Sequence, residues 1–104
     1  RPELGIQVPV EQVIPLLYSS EWTDRNKTSL ALFSLSESRD PALLAVLRAK
    51  ALEPLLEIAR WQSDGHAMPG YFIVARIAGV SDGEAFEAFQ AGEREKILAR
   101  VSQD

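Results

Sequence analysis

The chain has 104 residues, a formal charge of −4 at neutral pH, no cysteine and one histidine. At this length it forms one domain at most, and the lack of cysteine and of further histidines excludes disulfides, thiolate metal sites, cysteine nucleophiles and multi-histidine metal centres. The acidic balance and scattered basic residues argue against nucleic acid as a partner, and no apolar run reaches the roughly 18 residues of a membrane span.

The first part of the chain predicts a short lead-in and two helices. Residues 1–9 hold two prolines and a glycine without a clear period, which is typical of a lead-in segment or linker. Apolar residues spaced by three and four predict a helix over about 10–19, and a polar stretch rich in capping residues precedes a second helix over about 24–36. Because the chain opens on Arg1 rather than methionine, we expect residues 10–104 to be a domain from a longer protein.

A strong helix start follows at Asp40-Pro41, since Asp can cap free amides and Pro at the first helical position leaves no amide unpaired. The helical pattern then runs to about Trp61, with Pro54 inside it. Because an interior proline removes the hydrogen bond to the carbonyl four residues earlier, we expect a kink or break near Lys50.

Residues 67–78 are ambiguous between helix and strand. The run Tyr71-Phe72-Ile73-Val74 favours a strand by propensity, whereas a continuous apolar run also fits a helix buried between two neighbours. We predict a helix here. Ser81 and Glu84 have capping-box spacing, which predicts a helix over about 83–90 closed by Gly92, and a last helix covers about 93–102.

One pattern occurs twice in the chain. Pro15-Leu16-Leu17 is followed by Trp22, and Pro54-Leu55-Leu56 is followed by Trp61, with an offset of 39 residues at all four matched positions. Such a period indicates a repeat array. Each proline is expected to bend a helix, and each tryptophan to close the turn between paired helices. An exposed binding role for the tryptophans is the alternative, because Trp is enriched at interface hot spots.

These residues resemble the HEAT and armadillo-like class of helical repeats, in which a bent first helix and a leucine-rich segment precede an Asp and a basic residue. The first copy adds Asp24 and Lys27 to this pattern, and the second adds Asp64, with His66 near the place of the basic residue. The resemblance implies an all-α fold: a short right-handed α-α superhelix of two HEAT-like helix pairs plus a C-terminal capping helix or half-repeat.

The same resemblance implies that Arg25, Lys27 and Arg76 lie on the second helices of their units, the row that lines the concave surface of such arrays. If the domain has a binding face, these residues belong to it. A solvated or salt-bridged role remains open for all three. His66 is expected to be a cap or surface residue in a turn, and no residue pattern supports a catalytic site, a metal site or a cofactor.

The function predicted from the sequence is a non-catalytic protein–protein interaction or scaffold domain rather than an enzyme. Its partner would be another protein or the rest of the parent chain, with no nucleic acid and no membrane. Two alternatives remain: an accessory domain of a lyase-like or glycosylase-like HEAT-repeat enzyme, and a structural spacer. The oligomeric state and the compartment stay open, with the cytoplasm as the first expectation.

Overall fold

The computed structural model describes residues 10–102, and helices account for most of them. The α-helices are α1 (Val10–Val13), α2 (Trp22–Leu35), α3 (Pro41–Lys50), α4 (Leu52–Ala59), α5 (Asp64–Ile77), α6 (Asp82–Gln90) and α7 (Arg94–Leu98). Short 3₁₀ segments lie at Ile14–Tyr18, Ser36–Ser38 and Ala99–Ser102. The described range contains no strand, which confirms the all-α prediction. The expected lead-in, residues 1–9, lies outside the described residues.

Both prolines of the duplicated pattern stand near a helix start. The predicted break near Lys50 is confirmed, because α3 ends at Lys50, Ala51 leaves helical geometry at φ −130° and ψ 3°, and α4 begins at Leu52. Pro54 is therefore in the first turn of α4, where a missing amide has no helical partner. Pro15 lies at the start of the 3₁₀ segment that follows α1, so the helix expected over 10–19 has two parts.

The ambiguous segment is a helix, and α5 is the centre of the molecule. Its residues 69–76 are all buried. A helix enclosed on every side needs apolar residues on every face, which explains why this run carries no helical period and reads as a strand by propensity. The helix starts at Asp64, three residues earlier than expected, so Pro69 stands inside it and removes the bond to the carbonyl of Gly65.

Helices α4 and α5 form a hairpin joined by residues 60–63, and they approach closely at Gly70. A Cβ atom placed on Gly70 would lie 2.8 Å from Cγ2 of Ile58 and 3.1 Å from the carbonyl oxygen of Leu55. Ile58 and Leu55 are themselves fully buried. The absence of a side chain at Gly70 is thus what lets the two helices pack at this distance.

The C-terminal helices end and begin largely where the sequence predicts. The Ser81 side chain caps α6 by accepting a hydrogen bond from the Glu84 amide at 3.1 Å. Gly79, after α5, and Gly92, after α6, have φ of 81° and 74°, the left-handed conformation that favours glycine at helix ends. Helix α7 and the last 3₁₀ segment together span the helix expected over 93–102.

Two other helix starts differ from expectation in detail. Helix α2 begins at Trp22, two residues before the predicted start. Helix α3 begins at Pro41 as predicted, but the Asp40 side chain makes no capping hydrogen bond. The radius of gyration, 13.1 Å, matches the roughly 13 Å of a compact chain of about 100 residues. None of the helices within residues 10–102 combines the length and the apolar character that a membrane crossing requires.

The two copies of the duplicated pattern occupy different environments. In the first copy Leu17 is fully buried while Leu16 is 43% exposed. In the second copy Leu55 is fully buried and Leu56 is only partly buried. The buried leucine is therefore the second of the pair in the first copy and the first of the pair in the second copy. The ungapped alignment of the two copies does not show this difference.

Candidate functional site

The two tryptophans of the pattern pack on each other. Trp22 is the first residue of α2 and Trp61 lies in the loop between α4 and α5, and their ring centroids are 4.6 Å apart with planes tilted by 39°. The Arg25 guanidinium lies 4.4 Å from the Trp22 ring centroid. It also donates a hydrogen bond of 2.7 Å to the Glu57 carboxylate on α4. These contacts join α2 to the α4–α5 hairpin. The two tryptophans therefore pack against each other across this interface, besides lying near the ends of helices.

A small pocket of about 170 Å³ opens beside the tryptophan pair. Trp22, Asn26, Trp61 and His66 line it. Trp61 is 37% exposed. His66 is exposed as expected, with Nδ1 2.9 Å from the Ser63 hydroxyl, but it lies in the first turn of α5 and not in a turn between helices. Only the tryptophans are prominent in the sequence; Asn26 and His66 join them because the helix starts lie side by side.

Two buried side-chain polar atoms in residues 10–102 have no hydrogen-bond partner, namely Nε of Arg25 and Oδ1 of Asn26. Both belong to residues in direct contact with the tryptophan pair or its pocket. A buried polar atom without a partner costs about 1–3 kcal/mol, so such atoms are uncommon and are ordinarily met by an ordered water, an ion or a ligand. Within residues 10–102 the buried polar atoms without a partner thus lie only beside the two tryptophans.

A wider groove of about 620 Å³ lies between the first 3₁₀ segment and α4. It is lined by Tyr18, Glu53, Pro54, Leu56, Glu57 and Arg60. Tyr18 is 61% exposed, with its hydroxyl donating a 3.0 Å hydrogen bond to the Lys50 carbonyl. Glu57 lines this groove and binds Arg25, whose guanidinium lies on Trp22 of the pocket, so the Arg25–Glu57 pair links the walls of the two hollows. We call the groove and the pocket together the tryptophan surface.

Most basic side chains have partners within the chain, whereas several carboxylates do not. Within residues 10–102 every lysine and arginine except Lys27 bonds to a carboxylate, a hydroxyl or a main-chain carbonyl of the chain itself, as seen for Arg25, Arg39, Arg48, Arg60, Arg76, Arg94, Arg100, Lys50 and Lys96. Several exposed carboxylates have no ion pair in the same range: Glu21, Glu37, Asp40, Glu53 and Glu87. The free charge presented to solvent is therefore mainly negative.

The three basic residues predicted for a binding face do not lie together on one. Lys27 is exposed and Arg25 is held between Trp22 and Glu57. Arg76 is only 2% exposed and is paired with Asp82, which is the salt-bridged alternative and not an open binding position. Arg76 ends the buried run 69–76 of α5, where side chains on every face of the helix meet protein.

Arg76 instead fixes the packing of α5 against α2 and α6. Its guanidinium donates two hydrogen bonds to Asp82, at 3.1 and 3.0 Å, and others to the Phe33 carbonyl and the Ser36 hydroxyl. Arg39 adds a 3.0 Å bond to the same Asp82 carboxylate. Hydrogen bonds from Arg76, aided by those from Arg39, hold the pKa of Asp82 below its ordinary value.

The two aspartates of the predicted repeat both stand at the start of a helix, but they have different partners. Asp24, in the first turn of α2, accepts a 3.1 Å hydrogen bond from the Ser19 hydroxyl. Asp64, the first residue of α5, pairs at 2.9 Å with Arg94 from α7. Negative side chains in these positions suit the positive end of a helix dipole. They have structural contacts that the pattern alone does not specify.

No three His, Asp or Glu side chains in the described part of the chain converge on a point that could hold a metal ion. The chemistry that the tryptophan surface offers is recognition: two indoles, an unsatisfied amide oxygen, a phenol and carboxylates. Comparison with known protein families, curated proteins and solved structures gave no match to this chain.

Proposed function

We propose that this chain is a non-catalytic protein-binding module and that the tryptophan surface is its contact face. The observation that carries the proposal is that exposed Trp61 and Tyr18, with unpaired Glu53, line two hollows whose walls are linked by the Arg25–Glu57 pair. Tryptophan and tyrosine are enriched at hot spots of protein interfaces, because they bury a large area and keep one polar group for a hydrogen bond. The partner is another protein or a further part of the parent chain.

We also propose that the helices are arranged as two HEAT-like pairs. The first pair is the 3₁₀ segment Ile14–Tyr18 with α2, and the second is α4 with α5. Contacts of α2 with α5 and of the 3₁₀ segment with α4 support this arrangement, because like helices of successive units stack on each other in such arrays. The Trp22–Trp61 contact would then lie at the joint between the units.

Site-specific photocrosslinking tests the proposed function. A photoreactive phenylalanine analogue replaces Tyr18 on the tryptophan surface, or Phe86 on α6 as a matched control. Both native side chains are aromatic and exposed, at 61% and 45%. In extract of the cells that make the protein, we expect a discrete adduct from position 18 that unlabelled chain competes away, and none from position 86. Before the comparison, circular dichroism must show that both labelled chains keep the helical fold.

The double change Glu53→Lys with Trp61→Ala provides a second arm. Both side chains are exposed, but Trp61 also packs on Trp22, so circular dichroism must show that the double variant keeps the helical fold. The adduct from position 18 should then disappear. Equal adducts from positions 18 and 86, or an adduct unaffected by the double change, would show that the tryptophan surface is not the contact face.

A further inference from the structure

We propose that the pocket between Trp22 and Trp61 receives the guanidinium of an arginine in a basic segment of the partner protein. This inference rests on the proposed function and names the chemistry of the partner. The site is built from two indole rings, the Asn26 amide and the His66 ring, around about 170 Å³ of open space. That volume is below the roughly 300–1,000 Å³ of pockets for drug-sized ligands, so it suits the end of one side chain.

The unsatisfied Asn26 oxygen indicates what the occupant must supply. Asn26 lines the pocket, and its Oδ1 is buried without a hydrogen bond in the described structure. An amide oxygen accepts hydrogen bonds only, so the missing group is an N–H or O–H donor. Such a contact requires the Asn26 amide to rotate about χ2, a broad torsion in asparagine, so that this oxygen meets a donor in the pocket.

The indoles favour a donor that is also flat and positively charged. Guanidinium groups stack on the faces of aromatic rings and are attracted by their negative quadrupole. This chain already uses that contact three times, with Arg25 over Trp22 at 4.4 Å, Arg76 over Phe33 at 4.6 Å and Arg94 over Phe89 at 4.4 Å. In the pocket, Trp61 is the indole on which no side chain of the described residues provides such a contact.

Charge complementarity selects a basic partner over an acidic one. The charge of Arg25, whose guanidinium lies on Trp22, is matched by Glu57 at 2.7 Å. In the adjoining groove Arg60 is paired with Glu95, whereas Glu53 has no ion pair within residues 10–102. A further basic residue of the segment would therefore find the Glu53 carboxylate on leaving the pocket. An acidic segment would meet the same carboxylate and would be repelled.

Titration with synthetic peptides tests the inference. The probes are a nine-residue peptide alternating arginine and serine and three matched peptides that carry citrulline, lysine or glutamate instead of arginine. Citrulline keeps the flat shape and most donors while removing the charge. Both tryptophans of the chain line the pocket, so intrinsic fluorescence reports on this site alone. We expect the arginine peptide to bind most tightly and to change the fluorescence, and the glutamate peptide to do neither.

Variants separate the pocket from general charge attraction, with affinities measured by calorimetry. Asn26→Leu removes the amide with little change of size, and Trp61→Ala removes the exposed ring. Each should weaken the arginine peptide by about tenfold or more, as expected from a lost hydrogen bond to a charged donor or a lost cation–π contact. Phe86→Ala and Glu87→Gln on α6 are the controls and should change the affinity less than about twofold, a small effect typical of exposed sites away from a contact. Asn26→Leu should also leave the folded chain at least as stable, because it deletes a buried oxygen that has no partner.

Three results would overturn the inference. Equal binding of the arginine peptide to wild type, Asn26→Leu and Trp61→Ala would indicate attraction to the acidic surface without use of the pocket. Tighter binding of the glutamate peptide would reverse the assigned chemistry. Failure of the arginine peptide to bind at about 1 mM, a free energy near −4 kcal/mol, would remove the pocket as an arginine site. If the crosslink from position 18 still forms in that case, the protein-binding function stands and only the arginine assignment fails.

Discussion

Replacement of Gly70 by alanine tests how tightly the α4–α5 hairpin is packed. The new Cβ atom would lie 2.8 Å from Ile58 Cγ2, 3.1 Å from Ile58 Cβ and 3.1 Å from the Leu55 carbonyl oxygen. Ordinary contacts between carbon atoms are about 3.5–4.0 Å, so the carbon contacts are short by several tenths of an ångström or more. One of the three atoms is backbone, and the Ile58 side chain is fully buried, so neither can move away without shifting its surroundings.

The expected cost follows from two opposed effects. Alanine is favoured over glycine by about 1 kcal/mol inside a helix. Overpacking a buried site costs about 1–3 kcal/mol, and here the helices must separate or the isoleucine must leave its rotamer. We expect overpacking to cost about 3 kcal/mol, the upper end of that range, because a backbone atom and a buried side chain are both struck. After the gain of about 1 kcal/mol from alanine, the net loss in unfolding free energy is about 2 kcal/mol. For a domain of about 100 residues this corresponds to a fall in Tm of roughly 8–16 °C.

Thermal and urea unfolding followed by circular dichroism give the measurement, with Gly83→Ala as the matched control. Gly83 is also a helical glycine, but a Cβ added there meets no atom within 4 Å. Its replacement should be neutral or should stabilise by up to about 1 kcal/mol. The two variants differ mainly in what the new methyl group meets.

A second substitution, at Ile58, tests whether the expected clash at Gly70 is the cause of the lost stability. Ile58→Leu removes the Cγ2 atom that Gly70→Ala would strike, while keeping the side-chain volume. The double variant should be more stable than the sum of the single effects predicts, by about 1 kcal/mol, because residues in contact are not additive. Gly70→Ala that is as stable as Gly83→Ala, or a double variant that is strictly additive, would mean that α4 and α5 do not approach as described.

Three other predictions concern the rest of the core and the tryptophan pair. Asp82→Asn should cost about 2 kcal/mol at neutral pH, less than the roughly 3–5 kcal/mol of a fully buried pair because Asp82 is 52% exposed, whereas Glu84→Gln should cost at most about 0.5 kcal/mol. The hydrogen bonds from Arg76 lower the pKa of Asp82 in the folded chain. The stability that Asp82 contributes is therefore present above the unfolded pKa, about 3.9, and is lost as pH falls through the lower folded value. The advantage of wild type over Asp82→Asn in urea unfolding should vanish at low pH, and an advantage that persists there would contradict the pairing. Gly92→Ala should cost about 1 kcal/mol in the same assay, since alanine must adopt φ near 74°, and an unchanged midpoint would contradict that conformation. The stacked indoles should give a bisignate band in far-ultraviolet circular dichroism that Trp61→Phe abolishes, while a band unchanged by that substitution would place the rings apart.

Helix positions follow closely from the sequence, because they depend on local signals. The break between α3 and α4 was predictable since Pro54 cannot give the amide hydrogen bond of a continuous helix. The Ser81 cap was predictable since a hydroxyl three residues before Glu84 satisfies a free amide. Even the ambiguous run in α5 was identifiable as a helix, although its burial on all sides hides the helical period.

The partners of side chains were less predictable, because they depend on how helices pack. The burial of Arg76 could not be predicted without knowing that α5 is the central helix and that Asp82, at the start of α6, lies within hydrogen-bond distance of the Arg76 guanidinium. The contact of Trp22 with Trp61 could have been suspected, since the predicted repeat would place equivalent positions of stacked units side by side. Asn26 is four residues after Trp22 in α2, a spacing that places the two side chains on one face of the helix, but His66 carried no such signal.

The most direct test of the central claim is an NMR titration of the ¹⁵N-labelled chain with the protein identified by the crosslink from position 18. The two indole N–H resonances, assigned with Trp61→Phe, report on Trp22 and Trp61 separately. We predict that both shift on binding, together with amides near Asn26 and Tyr18, while amides of α6 stay in place. Shifts confined to α6 and α7, with both indole resonances unmoved at saturation, would contradict the assignment of the tryptophan surface as the contact face.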